Sequence, residues 1–85
     1  MKVLLPAALT SYTRASRIEA EGGTLDELFA DLERRYPGLR FRIIDEQGQL
    51  RPNLRIFVNG LGTREMQQGL LPGDSVAVVL ALSGG

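Results

Sequence analysis

From Ser75 to Leu82 the apolar side chains fall at both parities: Val76, Val78, Leu80 and Leu82 on one, Ala77, Val79 and Ala81 on the other. A strand that is apolar on both sides belongs in the middle of a sheet, because a half-solvated strand alternates. That demand is severe in a chain of 85 residues with no cysteine and no histidine. No disulfide or ordinary zinc site can staple it, so one hydrophobic core must hold the whole. The length predicts a single domain over residues 1–85, closed by a short flexible tail at 83–85.

One segment is marked to cover such a sheet. Thr24-Leu25-Asp26-Glu27 has the form of a capping box. Leu25, Leu28, Phe29, Leu32 and Tyr36 follow at helical spacing and make one apolar stripe. Asp26 and Glu27 in the first turn and Arg34 and Arg35 in the last suit the helix dipole, and Asp31 can pair with Arg35. Pro37-Gly38 stops the helix. A helix this short is marginal alone in water and must rest on the sheet.

The remaining segments read as strands and turns. Lys2 to Leu9 predicts a first strand with Pro6 near its end, followed by a turn at Thr10 to Arg14. Arg17 to Ala20 predicts a second strand, broken by Glu21-Gly22-Gly23. Phe41 to Ile44 predicts a third, ending at the Asp45-Glu46-Gln47-Gly48 turn, with a loop or short edge at Leu50 to Pro52. Leu54 to Val58 predicts another, joined by a type I′ turn at Asn59-Gly60 to Leu61 to Arg64. Gln67 to Asp74 is a connection in which Asp74 fixes the turn before the last strand. The expected class is α+β: a mixed sheet with one main helix on one face. Phe57 and Val79 then belong to the uncovered face, as an apolar docking patch.

Composition removes several functions. Ten basic residues balance ten acidic ones, so no strong basic footprint for nucleic acid exists. The apolar runs fall well short of a membrane span. The run after Lys2 is too short and too weakly charged for a secretory leader, which predicts a cytoplasmic protein. The glycines at 22–23, 60, 62 and 69 match no phosphate-binding spacing and read as turns. Asp45-Glu46 has no neighbouring ligands for a metal and reads as a solvated turn. Arg34, Arg35, Arg40 and Arg42 read as helix-end charge and a solvated strand face. No pair of residues reads as a general acid and base.

What is left is Gly84-Gly85, behind the expected central strand. Lacking Cβ atoms, the pair permits close backbone approach to a partner. At roughly 3.3 Å per residue, Ser83 to Gly85 reaches about 10 Å beyond the domain.

The helix from Thr24 to Tyr36-Pro37-Gly38-Leu39, then Ile56-Phe57-Val58-Asn59-Gly60, Leu71-Pro72-Gly73-Asp74-Ser75-Val76 and the diglycine stand in an order that resembles the ubiquitin-like sulfur carriers. That group includes the small subunit of molybdopterin synthase and the thiamin- and cysteine-pathway carriers. The stretch from Tyr36 through Asp45-Glu46-Gln47-Gly48-Gln49-Leu50-Arg51 to Gly60 looks most like the cysteine-pathway type. The resemblance implies a β-grasp fold and a carrier rather than an enzyme.

It also implies that Gly85 is adenylylated and then converted to a thiocarboxylate, while Gly84 threads the tail into a catalytic channel. Arg55, Phe57, Val79 and Leu82 would dock the partner. The carrier would bind no cofactor or metal. ATP would be used by an E1-type adenylyltransferase of the ThiF/MoeB kind, with a sulfur donor or sulfurtransferase before it and a cysteine synthase-like or other biosynthetic enzyme after it. With no cysteine in the chain, no internal thiol can capture the activated end. A molybdopterin synthase subunit, a ubiquitin-like protein modifier and a binding module with an incidental diglycine are the alternatives.

Overall fold

The computed structural model describes residues 1–81. In chain order they form β1 (Lys2–Leu4), a 3₁₀ turn (Ala7–Leu9), α1 (Thr10–Thr13), β2 (Arg17–Glu19), α2 (Leu25–Arg35), α3 (Leu39–Ile43), β3 (Leu54–Val58), β4 (Leu61–Thr63) and β5 (Ser75–Leu80). The strands make one sheet in the order β2-β1-β5-β3-β4. β5 is central, as its two apolar parities require. It runs parallel to β1 and antiparallel to β3, while β1–β2 and β3–β4 are antiparallel.

α2 forms where its cap and stripe place it. Thr24 Oγ1 accepts the Glu27 N–H at 3.2 Å. The reciprocal arm is shifted by one residue: Glu27 Oε1 accepts from the Gly23 N–H at 2.8 Å. Leu25, Leu28, Phe29 and Leu32 are fully buried, each stabilising the fold by about 1.5–3 kcal/mol relative to exposure. They share one core with Val3, Ile18, Leu54, Ile56, Val58, Val76 and Val78 from the sheet. Asp31 bridges both Arg34 and Arg35. Its carboxyl is held below the usual range, first by the Glu21 N–H and then by these guanidiniums.

Gly22 joins β2 to α2 in a tight space. A Cβ there would lie 2.5 Å from Leu28 N and 2.8 Å from the Glu27 carbonyl carbon.

Two expected elements are different. The first strand ends at Leu4, not Leu9, and the expected turn at Thr10 to Arg14 is largely the helical turn α1. Pro6 brings no N–H to a ladder, and the chain turns there so that Leu9 reaches the core. Arg14, at φ 60°, ends α1.

The expected strand at Phe41–Ile44 is the helix α3. A strand would place Phe41 and Ile43 on one face. The helix instead buries Leu39 and Ile43, four residues apart, and leaves Phe41 exposed. Its first turn is capped from the preceding helix: Glu33 accepts from the Gly38 N–H at 2.9 Å and the Arg40 N–H at 3.0 Å. These donors, Gly38 first, hold the Glu33 carboxyl below its ordinary 4.5.

A depressed carboxyl contributes stability above its unfolded pKa and loses it as pH falls through the folded value. Glu33→Gln is therefore expected to lower Tm at pH 7, by a margin that narrows well below pH 4.5. Thermal melts of both proteins at pH 7 and at strongly acidic pH check this; an equal margin at both would overturn it.

The connections before and after β3 follow the sequence more closely. Asp45 Oδ1 accepts from the N–H groups of Gln47 and Gln49, and Ile44 bridges Leu50. Asn59 and Gly60, at φ 51° and 85°, make the type I′ turn. Asp74 accepts the Leu71 N–H at 2.9 Å and the Asn59 side-chain amide at 3.0 Å. Asn59 Oδ1 in turn accepts from the Ser75 N–H. The turn into β5 is thus locked to the β3–β4 hairpin.

Candidate functional site

β5 leads toward the diglycine, and its sides define the surfaces that travel with the tail. On the face opposite α2, residues in register form a row across four strands. Leu4 pairs with Ala77, Ala77 with Phe57, and Phe57 with Gly62. Gly62 has a role here: a Cβ on it would lie 3.4 Å from Phe57 Cε2. The ring therefore rests beside the bare backbone of β4.

Val79 and Arg55 face each other in the next row. Val79 is 41% exposed. Arg55 donates through Nη1 to the carbonyl oxygens of Pro52 and Leu54, which draws its guanidinium to the end of the strand.

Three of the predicted docking residues, Arg55, Phe57 and Val79, are thus brought together on one face. Leu82, Gly84 and Gly85 lie outside the described residues. Leu4 and Ala77, which were not among the expected docking residues, complete the apolar row. Their parity, opposite to Val3 and Val78, carried the signal; the register that aligns them did not show in the sequence.

This surface is apolar, with one arginine at its edge. Among the described residues, no group of three or more acidic side chains is placed to hold a metal ion. The shifted carboxyls serve the fold: Asp31 and Glu33 fix helices, and Asp74, lowered chiefly by the Leu71 N–H, fixes a turn. No described helix is long and apolar enough to cross a membrane.

Comparison with known proteins agrees with this architecture. The model of the ThiS family matches residues 3–85. The sulfur carrier protein CysO of Mycobacterium tuberculosis is 32% identical over 89 aligned positions, which take in 98% of this chain and 96% of the relative. A chain of the Amycolatopsis orientalis BexX/CysO complex superposes with a TM-score of 0.89 at 26% identity, covering 99% of this chain and 98% of that one. The crystal structure of Mycobacterium tuberculosis CysO, described as an antigen, gives a TM-score of 0.89 at 29% identity, with 95% and 98% covered. The fold is a ubiquitin-like β-grasp.

Proposed function

The chain belongs to the ThiS family of ubiquitin-like sulfur carriers, and from that premise we propose that Gly85 carries the sulfur as a C-terminal thiocarboxylate. The observation that supports this most is the family match, which runs through Gly84-Gly85 to residue 85. The full-length likeness to a sulfur carrier protein adds to it.

A carboxylate expels oxygen poorly and needs activation. A partner adenylyltransferase of the ThiF/MoeB type, using ATP, joins the Gly85 carboxylate to AMP and releases pyrophosphate. A hydrosulfide equivalent from a sulfur donor then attacks the carbonyl carbon. The C–S bond forms, the C–O bond to AMP breaks, and AMP leaves with the electron pair. The product donates sulfur to an acceptor enzyme making cysteine or another sulfur-containing metabolite. The protein itself is substrate and carrier, with no cofactor of its own, and works in the cytoplasm where ATP is at hand. Gly84 gives the tail the slimness to enter a catalytic channel.

Incubation with the activating partner, ATP and sulfide should raise the intact mass by the difference between one sulfur and one oxygen atom. An unchanged mass with competent partners would refute the carrier chemistry.

The face bearing Arg55, Phe57 and Val79 docks the partner in this reading, with Leu82 as a fourth contact. A buried charge in such a contact is costly. Val79→Asp should raise the KM for the carrier in adenylylation by about tenfold while stability stays within about 0.5 kcal/mol, as for exposed sites generally. An unchanged KM would move the docking surface elsewhere.

A further inference from the structure

A second surface flanks the end of β5, on the helix-bearing side of the sheet. Tyr12 of α1, Phe41 and Arg42 of α3, Arg51 and Leu80 line a groove of about 570 Å³. Phe41 is 55% exposed and Leu80 39%, so two large apolar side chains stand open beside each other's strand and helix.

Two arginines are held there, each by a hydrogen bond from Nε. Arg42 Nε donates to Tyr12 Oη at 2.7 Å, with its guanidinium 5.9 Å from the tyrosine ring centre. Arg51 Nε donates to the Phe41 carbonyl at 2.7 Å, with its guanidinium 4.5 Å from the Phe41 ring centre. Arg51 is fixed by a carbonyl and a ring face, and Arg42 by the tyrosine hydroxyl. The terminal nitrogens of Arg42 and Arg51 take no partner among the described residues. Arg34, Arg35 and Arg40, by contrast, are paired with Asp31 and Asp26. Among the described residues, no carboxylate lines the groove.

The position matters as well. The Ala81 N–H donates to the carbonyl of Asn53, another lining residue, at 2.8 Å. Ala81, from which residues 82–85 continue, is thus fixed at the rim of the groove.

We propose that the groove receives an acidic segment of the tail-accepting protein, with carboxylates on Arg42 and Arg51 and an apolar side chain between them against Phe41 and Leu80. A guanidinium offers a carboxylate two parallel donors. Both are already oriented, so less side-chain freedom is lost on binding. The identity of the partner rests on the carrier reading; the chemistry of the groove does not.

The test uses the full chain, isotope-labelled for NMR, titrated with three capped peptides: Asp-Ala-Leu-Ala-Glu, its amide analogue Asn-Ala-Leu-Ala-Gln, and Lys-Ala-Leu-Ala-Lys. Only the acidic peptide should shift the Arg42 and Arg51 Nε signals and the Phe41 amide, and added salt should weaken it. Arg42→Gln with Arg51→Gln should weaken it by about tenfold, and Phe41→Ser should do so separately. Equal binding of the amide peptide, no shift at all, shifts centred on Phe57, or shifts that follow protein concentration alone would each overturn the inference.

A second arm separates the two readings. If the wild type gains sulfur and the double arginine variant does so with the same KM, the groove is not the partner's site and the carrier reading stands. If the wild type gains none while the peptide result holds, the carrier reading fails and the groove remains an acidic-segment site.

Discussion

Gly22→Ala is expected to destabilise the protein by about 3 kcal/mol, the upper end for overpacking, although it adds one methyl group in a connecting segment. The new Cβ would meet Leu28 N at 2.5 Å, the Glu27 carbonyl carbon at 2.8 Å and Leu28 Cα at 2.9 Å. All three are backbone atoms in the first turn of α2, so no side chain can swing aside. Relief requires moving the helix start, where Thr24 caps Glu27 and Leu25 and Leu28 are fully buried. Gly48 supplies the comparison: it has φ 79° and nothing within 4 Å of its would-be Cβ. Gly48→Ala should cost only the left-handed backbone penalty, about 1–2 kcal/mol. Urea unfolding of both variants gives the order, and a Gly22→Ala midpoint at or above that of Gly48→Ala would contradict it.

Deleting Gly85 should reduce thiocarboxylate formation by about 10²-fold or more, the scale set by misplacing a reacting group. The loss moves the terminal carboxylate back by roughly 3.3 Å in a reaction where a nucleophilic oxygen must meet a phosphorus atom. Deleting Gly84 as well doubles the shortfall and puts a serine at the reacting end. The measurement is intact-mass conversion with the activating partner, ATP and sulfide, alongside a thermal melt to separate lost chemistry from lost folding. Full conversion of the truncated chain would show that the length of the tail does not place the reacting carboxylate.

The sequence made α2, β5 and the Asn59-Gly60 turn legible because each is decided locally or by a strong pattern. A threonine cap, a leucine and phenylalanine stripe and a run apolar at both parities leave few alternatives. α3 was hidden because Phe41-Arg42-Ile43 alternates like a strand, while its cap is Glu33, five residues before Gly38. α1 was hidden behind Pro6, which suits a strand end and a helical turn alike. The candidate face followed the same division. Arg55, Phe57 and Val79 share a parity and were readable; the Leu4–Ala77–Phe57–Gly62 row needs the strand register. The groove was invisible since α1 and α3, the two segments read differently, build its walls.

The parallel pairing of β1 with β5 has a mechanical meaning. Lys2, Val3 and Leu4 lie beside Ser75, Val76 and Ala77 and run the same way. Tension drawn from Met1 and from beyond Ala81 pulls the two strands along their length in opposite directions. Their hydrogen bonds then bear the load together, where the β3–β4 hairpin pulled at its adjacent ends would open one bond at a time. The five pairs between β5 and β3 brace the other side. A pull on Met1 and on the chain past Ala81 therefore works against strands loaded along their length rather than a hairpin opened from its end.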